Sequence, residues 1–262
     1  MKNIAIVTGA SSGMGVHFAL ELSKENLDEL WLFARRKEKL LETKSLIEKT
    51  NCYNSNLKVK IFDMDISGID GAKKIKESLN EQDINVKVLV NNAGFGTYGE
   101  FINTDTEREM QMIDLDCTSL TGITGYALPY MTKGSRIINV ASLASFMPLG
   151  NFAVYGACKA YVLSFTVALR EELKSKGIKV TALCPGPVST EFANVASKGA
   201  RKEVRHGLSP EKTVKQCIKD SKKGKLYSMY AFKWRFKAFA SNFISRKLGA
   251  WFTYKYCKRP SN

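Results

Sequence analysis

The residues whose types and spacing could carry out chemistry lie between Asn139 and Lys159. Tyr155 and Lys159 are four residues apart in a segment that we predict to be helical over about 152–175. Residues four apart share one face of a helix, so the ammonium group of Lys159 can sit beside the phenol of Tyr155. A nearby cation favours the phenolate and lowers the pKa of a tyrosine from its ordinary value of about 10.

Ser142 adds a hydroxyl group to this pair, because it follows a predicted strand over 136–140. A serine hydroxyl can hydrogen-bond a carbonyl oxygen, and a tyrosine with a lowered pKa can act as a general acid–base. The three residues therefore predict protonation of a ketone oxygen as a hydride reaches its carbon. The Tyr-x-x-x-Lys spacing also arises by chance on helices, so this prediction depends on the rest of the chain.

Composition points to one α/β domain in a reducing compartment. The 262 residues are 44% apolar, enough for a core, and no uninterrupted apolar run is long enough to predict a transmembrane helix or a signal peptide. The cysteines show no metal-ligand spacing and only two histidines accompany them, so we expect neither disulfides nor a metal site and assign the chain to the cytoplasm. These cysteines are residues 52, 117, 158, 184, 217 and 257.

A glycine-rich turn, TGASSGMG at 8–15, joins the first predicted strand (3–8) to the first predicted helix (13–24). Such a turn brings backbone N–H groups and a helix N-terminus to a phosphate. We assign Gly9 to the tight turn, Gly13 to a close backbone approach and Gly15 to contact between helix and strand. The alternative is a glycine-rich turn that binds no ligand.

Arg35 and Arg36 follow the second predicted strand, 30–34, about 20 residues beyond the glycine turn. A chain that binds NAD usually has an acidic residue here for the ribose 2′-hydroxyl. Two guanidinium groups instead suit a 2′-phosphate. We therefore predict NADP rather than NAD, the alternative being a solvated pair at the start of a helix.

Strands and helices alternate through the chain. Further strands are predicted over 58–62, 86–90, 136–140, 178–183 and 226–229, with helices near 69–79, 105–130, 152–175 and 210–223. Alternation of this kind predicts a doubly wound parallel sheet of the Rossmann type. We expect one domain over 1–228, with a lid over about 191–210, and an extension over 229–262.

With these motifs in order, the chain resembles the short-chain dehydrogenase/reductase family over residues 4–192. The residues that carry the resemblance are TGASSGMG, Asp65, NNAG (91–94), Ser142, Tyr155-x-x-x-Lys159 and PGPVST (185–190). The resemblance implies that Tyr155 is the general acid–base, that Ser142 positions the substrate oxygen, and that Lys159 holds the nicotinamide ribose. It also implies a dimer or tetramer formed through the helices at 105–130 and 152–175.

The resemblance also implies the remaining cofactor contacts, which form four groups along the chain. The phosphates and ribose would meet Gly9, Ser11, Ser12, Met14 and Gly15. The adenine would lie against Asp65 and Ile66, the crevice would be lined by Asn92, Ala93 and Gly94, and the nicotinamide would be secured by Pro185, Gly186, Val188 and Thr190.

Two positions depart from the family pattern. The family usually has an Asn on the long helix, where it kinks the backbone and holds a proton-relay water, and this chain has Asp116. An ionised Asp accepts hydrogen bonds but cannot donate one, so either the relay is altered or it runs through water in the usual way. Cys158 stands where a Ser is common, and we expect it to be a buried small side chain rather than a reactive thiol.

The basic charge of the chain is concentrated at its end. Residues 201–262 contain 17 Lys/Arg and 3 Asp/Glu, whereas the first 200 residues contain 23 and 22. Within the extension, Phe232, Phe236, Phe239 and Phe243 recur at helical spacing, followed by Trp251 and Phe252. This pattern fits either a core- or dimer-packing helix or a helix on an anionic membrane surface, and no nucleic-acid-binding module is present.

The expected substrate is hydrophobic, because the lid residues Phe192, Val195 and Leu208 and the loop 146–152 are apolar and no arginine cluster accompanies them. The sequence thus predicts an NADP-dependent oxidoreductase acting on a fatty, steroid-like or aromatic ketone or secondary alcohol. The alternative is a non-catalytic NADP-binding sensor or scaffold, which Asp116 alone favours.

Overall fold

One sheet of seven parallel strands organises the computed structural model, which describes residues 1–50, 56–80, 83–201, 204 and 207–261. The strand order is β3-β2-β1-β4-β5-β6-β7. In chain order the strands are β1 (Lys2–Thr8), β2 (Glu29–Ala34), β3 (Lys58–Asp63), β4 (Ile84–Asn91), β5 (Arg136–Val140), β6 (Lys179–Leu183) and β7 (Tyr227–Ser228). The predicted Rossmann-like fold is confirmed. Cys52 and four lid positions (202, 203, 205 and 206, the last of which is His206) lie outside the described residues.

Helices cover both faces of this sheet. They are α1 (Gly13–Leu22), α2 (Lys37–Glu48), α3 (Gly68–Asn80), α4 (Thr106–Ile113), α5 (Leu120–Ala127), α6 (Ala153–Leu173), α7 (Phe192–Ala196), α8 (Pro210–Lys222), α9 (Phe232–Ser241) and α10 (Arg246–Tyr256). The central strands are buried on both sides, which explains why their sequences are largely apolar. In β1, Ala5 and Val7 pack into one core and Ile4 and Ile6 into the other.

The long helix predicted over 105–130 is not regular throughout. It begins after the N-cap Asp105, whose carboxylate accepts hydrogen bonds from two first-turn N–H groups. Residues Asp114–Ser119 then form a π-helical turn between α4 and α5. The Ser119 hydroxyl donates to the Asp114 carbonyl oxygen at 2.8 Å, so this backbone acceptor in the widened turn has a hydrogen-bond partner. Turns of this kind occur often at functional sites, and Asp116 lies in this one.

The lid and the extension take specific forms in the structure. The lid contains the short helix α7, and Val188 pairs with Leu208 near its end. The extension forms two helices, α9 and α10, so Phe243 lies beyond the end of the helix that carries the other three phenylalanines. Among the described residues, no helix has the length and apolar character needed to cross a bilayer.

The strand order reverses between β1 and β4, because the chain runs outward to β3 and then returns to the centre. A crevice forms outside the carboxyl ends of parallel strands at such a reversal, and ligands of doubly wound sheets bind there. The glycine turn after β1, the arginines after β2, the asparagines after β4 and Ser142 after β5 all lie at this edge.

Candidate active site

A cavity of about 1120 Å³ opens at the carboxyl edge of the sheet. It exceeds the ~300–1,000 Å³ typical of small-molecule sites, which leaves room for a dinucleotide and a substrate together. All the residues predicted to bind cofactor or to act in catalysis line this cavity, with the exceptions of Gly15 and Asp116. Gly13, from the same turn, lines it as well.

The glycine turn is built for a close approach of backbone atoms. Gly9 has a φ of 66°, a left-handed conformation that favours glycine, and a Cβ there would lie 2.9 Å from the Cα of Ala93. Gly15 packs behind the turn rather than along the cavity, since a Cβ on it would meet the Gly9 carbonyl oxygen at 2.0 Å. The predicted packing role of Gly15 is therefore observed, while its contact with the phosphates stays a prediction.

The N-terminus of α1 forms part of the cavity wall. Ser12 occupies the N-cap position without a side-chain capping bond in the described structure, and Ser12, Gly13 and Met14 line the cavity. The first N–H groups of a helix need an acceptor, and an anion can supply it. A Cβ on Gly13 would lie 3.2 Å from Thr190, so the space there is narrow. These features fit the pyrophosphate of a dinucleotide.

A hydrogen-bond network fixes the glycine turn against the end of β4. The Asn92 side-chain amide donates to the carbonyl oxygens of Thr8 and Gly9 at 2.9 and 3.2 Å. The Thr8 hydroxyl accepts from the N–H groups of Asn92 and Ala93, both at 3.0 Å. Asn92 therefore shapes the crevice by holding two strands together, as its position in the sequence suggested.

Arg36 reaches from the end of β2 to the glycine turn. Its Nη2 lies 3.4 Å from the Ser11 hydroxyl, and both terminal nitrogens contact the Glu191 carboxylate at 3.2 Å. Arg35 lines the same part of the cavity. Burial acts to raise the pKa of Asp65, but hydrogen bonds from Ser67 and then the Arg35 charge lower it. Two guanidinium groups thus stand beside the turn that would hold the phosphates.

Tyr155 stands between the cofactor part of the cavity and its apolar part. Its ring stacks on Phe152 with centroids 4.1 Å apart, and Phe192 packs on it at 5.4 Å. The Ser142 hydroxyl lies close enough to the phenol to act in the lowering direction on its pKa, and the Lys159 Nζ lies 5.6 Å from the ring centroid. The structure therefore brings Ser142, Tyr155 and Lys159 together as predicted.

The pKa of Tyr155 is raised above its ordinary value, contrary to the expectation from the sequence. Burial is the main cause, since it disfavours the charged phenolate. The Lys159 charge and the Ser142 hydroxyl act in the lowering direction but do not outweigh it. Tyr155 is thus held as the neutral acid that a carbonyl oxygen requires.

Lys159 forms a buried ion pair with Asp116. Its Nζ lies 2.8 Å from Asp116 Oδ2 and 3.2 Å from the Val140 carbonyl oxygen, and both side chains are almost fully buried. Burial acts to lower the pKa of Lys159, but the charge of Asp116 reverses this and the net pKa is raised. Asp116 Oδ1 also accepts from the Phe95 N–H at 3.1 Å. Asp116 is therefore a positioning residue for Lys159 and lies just outside the cavity.

The extension closes the apolar end of the cavity. Trp234 of α9 packs against Gly186, where a Cβ would meet the indole at 2.4 Å. The Arg259 guanidinium donates to the Gly150 carbonyl oxygen at 2.8 Å and lies over the Phe152 ring. The sequence predicted no cluster of arginines beside the lid and the loop 146–152, and Arg259 is a single arginine that reaches this end of the cavity from the extension. Sequence reasoning missed Trp234 and Glu191, because only packing between distant segments brings them here. Phe152 belongs to the apolar loop expected near the substrate, but its stacking on Tyr155 was not predicted.

Cys158 is buried, as expected for a small packing side chain. A hydrogen bond with Cys117 and burial both raise the pKa of its thiol. A thiol with a raised pKa supplies little thiolate at neutral pH and is unreactive. Cys158 therefore serves as a packing side chain and does not compete with Tyr155 as a reactive group.

Comparison with known proteins decides the family. The family model described as short chain dehydrogenase matches residues 3–201, which is most of the sequence. The chain belongs to the short-chain dehydrogenase family. This short-chain dehydrogenase is 30% identical to an uncharacterized oxidoreductase of Staphylococcus epidermidis over 205 residues, covering 78% of this chain and 85% of the relative. It is thus an oxidoreductase, and its family uses a nicotinamide cofactor.

Two further relatives bear on the site. This short-chain dehydrogenase is 33% identical to the very-long-chain 3-oxoacyl-CoA reductase of Rattus norvegicus, over 82% of this chain and 67% of the relative. Its fold superposes with a TM-score of 0.78 on a short-chain dehydrogenase from Sphingobium yanoikuyae in complex with NADPH. That structure is 25% identical and the match covers 92% of this chain and 93% of the other.

Proposed function

We propose that this short-chain dehydrogenase reduces a hydrophobic ketone with NADPH and oxidises the corresponding secondary alcohol in the reverse direction. The observation that carries the proposal is the position of Tyr155, which lines the cavity between the phosphate-binding turn and an apolar chamber. The chamber walls include Phe95, Met147, Leu149 and Phe192. The rat relative, named for an acyl chain bearing a ketone, supports this substrate class.

The side chains of this chain supply proton transfer and orientation. When bound, the nicotinamide supplies or accepts the hydride. Tyr155 donates its phenol proton to the carbonyl oxygen, and the Ser142 hydroxyl hydrogen-bonds the same oxygen. The Lys159 ammonium stabilises the phenolate that remains. Asp116 keeps Lys159 charged and in place, since the two groups are in contact at 2.8 Å.

Turnover decides between this proposal and the alternative of an NADP-binding sensor or scaffold. The test follows NADPH absorbance after addition of long-chain, steroid and aromatic ketones, with small polar ketones as the comparison. We expect oxidation of NADPH by apolar ketones at a higher kcat/KM than by polar ones. Tight NADPH binding without turnover on any ketone would favour the sensor instead.

The NADPH preference is tested at Arg36. Charge-assisted hydrogen bonds contribute about 1.5–3 kcal/mol, so Arg36→Ala should lower the kcat/KM ratio of NADPH to NADH by about 10- to 150-fold. The measurement is the initial rate with each cofactor at a saturating ketone concentration. Lys37→Ala is the matched control, because Lys37 pairs with Asp63 at 3.9 Å and does not line the cavity. An unchanged ratio in Arg36→Ala would contradict the assignment.

The role of Asp116 is tested by the pH dependence of alcohol oxidation, which requires Tyr155 to lose its proton. The Asp116 charge raises the pKa of Tyr155, so Asp116→Asn should lower the pH at half-maximal rate. We expect a shift of about one pH unit, which corresponds to about 1.4 kcal/mol. Asp114→Asn, at an exposed position in the same π-helical turn, should leave the profile unchanged. A profile that does not move in Asp116→Asn would show that the carboxylate has no influence on Tyr155.

A further inference from the structure

The extension over 229–262 has an unusual combination of residue types. It contains eight Lys/Arg, no Asp or Glu, and ten aromatic residues. Of the 21 large hydrophobic side chains substantially exposed among the described residues, ten lie between Phe232 and Tyr256. Single exposed apolar side chains are ordinary, whereas a contiguous exposed group marks an interaction surface.

The two faces of α9 have different surroundings. Trp234, Ala238 and Ser241 face inward, with Ala238 and Ser241 buried and Trp234 against Gly186. On the outer side, Phe232, Phe236 and Phe239 are 77%, 59% and 61% exposed. The phenylalanine stripe predicted from the sequence therefore faces outward, which corrects the alternative of a core-packing helix for this chain.

Helix α10 repeats this arrangement. Gly249 and Thr253 are buried on its inner side, where Thr253 accepts a hydrogen bond from the Gly150 N–H at 3.0 Å. Trp251 lies on the side of the helix away from Gly249 and Thr253 and is 51% exposed, and Tyr254 and Tyr256 are also exposed. Lysines lie over the rings, as Lys255 does over Trp251 at 5.3 Å. Basic groups around exposed aromatic rings are typical of helices at the headgroup level of a bilayer.

One opening of the cavity lies on this same surface. Ile244, Leu248 and Phe252 line the cavity and are also 40%, 53% and 50% exposed. A side chain that contacts both the cavity and the outside marks the opening between them. A molecule that enters here therefore passes through the aromatic and basic surface of the two helices.

We propose that α9 and α10 bind the surface of an anionic lipid bilayer, so that the cavity opens toward the acyl chains. The positive charge without any acidic residue complements anionic headgroups, and each Lys or Arg near such a surface attracts it. The same charge disfavours a second copy of this chain on the face, because like charges repel. Lipid binding goes beyond the proposed reductase function, whereas entry of a bilayer-dissolved ketone rests on that function.

Flotation with vesicles tests the lipid contact without any need for turnover. The full chain should float with mixed phosphatidylcholine–phosphatidylserine vesicles and bind pure phosphatidylcholine vesicles at least ~10-fold more weakly. The double variant Phe236→Ser/Phe239→Ser should lose at least ~10-fold in partitioning to the mixed vesicles. Its matched control is Leu41→Ser/Leu46→Ser, which removes two side chains, each 47% exposed, from α2 near the opposite edge of the sheet.

Several outcomes would overturn the proposal. These are failure of the unaltered chain to float, equal binding to both vesicle types, or equal loss in the tail and control variants. Sedimentation of the unaltered chain and of both double variants measures self-association separately. Self-association that disappears only in Phe236→Ser/Phe239→Ser would assign the face to a second copy instead. Single-stranded nucleic acid that displaced the protein from vesicles more strongly than salt of the same ionic strength would assign the face to nucleic acid.

The route into the cavity is tested with one long-chain ketone dissolved in mixed vesicles and one short water-soluble ketone. Phe236→Ser/Phe239→Ser should lose at least ~10-fold in rate on the vesicle-bound ketone and retain its rate on the soluble one, because neither residue lines the cavity. If the variant lost the same fraction of its rate on both ketones, or lost none on either, the proposed route would be overturned. Absence of turnover in every protein would count against the reductase function, while flotation would still report on the lipid contact.

Discussion

Replacing Tyr155 with Phe is expected to lower kcat by about 10²–10⁴-fold, the range that general acid–base catalysis contributes. The variant removes the proton donor and keeps the ring that stacks on Phe152 at 4.1 Å. The fold and the affinity for NADPH should therefore remain near those of the unaltered chain. The measurement is single-turnover reduction of an apolar ketone, with fluorescence titration of NADPH alongside it.

A second tyrosine on the same helix provides the control. Tyr161 is 43% exposed and its hydroxyl contacts Thr121 at 2.7 Å. Tyr161→Phe should leave turnover unchanged, so that loss of a phenol elsewhere on α6 is separated from loss of the acid. Turnover in Tyr155→Phe at the rate of this control would exclude Tyr155 as the proton donor.

Replacing Lys159 with Met should reduce both stability and turnover. The substitution leaves Asp116, which is 1% exposed, without its partner at 2.8 Å. Removing one member of a buried ion pair costs about 3–5 kcal/mol, because the remaining charge is uncompensated. The free energy of unfolding in urea should fall by this amount, and kcat should fall because nothing then stabilises the Tyr155 phenolate.

The double variant Lys159→Met/Asp116→Asn separates these two effects. It removes both charges, so much of the lost free energy of unfolding should return. Turnover should stay low, since the cation beside Tyr155 is still missing. Recovery of turnover together with stability would show that Lys159 acts through folding alone. A Lys159→Met variant as stable as the unaltered chain would show that the pair contributes nothing.

Local sequence spacing was sufficient for the parts of the site whose geometry is local. Tyr155 and Lys159 share a face of α6 because the helical repeat puts residues four apart together. The arginines lie beside the glycine turn because β2 and β1 are adjacent parallel strands whose carboxyl ends meet at one edge. The order of elements along the chain gave the fold for the same reason, since alternating strands and helices pack in few ways.

Other features depend on contacts between segments far apart in the chain. Asp116 meets Lys159 across 43 positions, and Arg36 meets Glu191 across 155. The pKa of Tyr155 followed the degree of burial rather than the charge of its neighbour, and burial is a property of the packed core. Helical periodicity marked the phenylalanines of α9 as one face but could not tell whether that face points inward or outward.

The sequence by itself thus determined the fold, the edge of the sheet at which the cavity opens, and the grouping of Ser142, Tyr155 and Lys159 there. Residue spacing is sufficient for these features, because it sets the order of the elements and the face of a helix on which a residue lies. Only the tertiary structure decided that Lys159 is bound to a buried carboxylate and that Phe152 stacks on Tyr155. The tertiary structure also decided that residues of the extension line the cavity, and that most aromatic side chains of the extension are exposed. These outcomes depend on which distant surfaces exclude water from one another, and no local pattern specifies that.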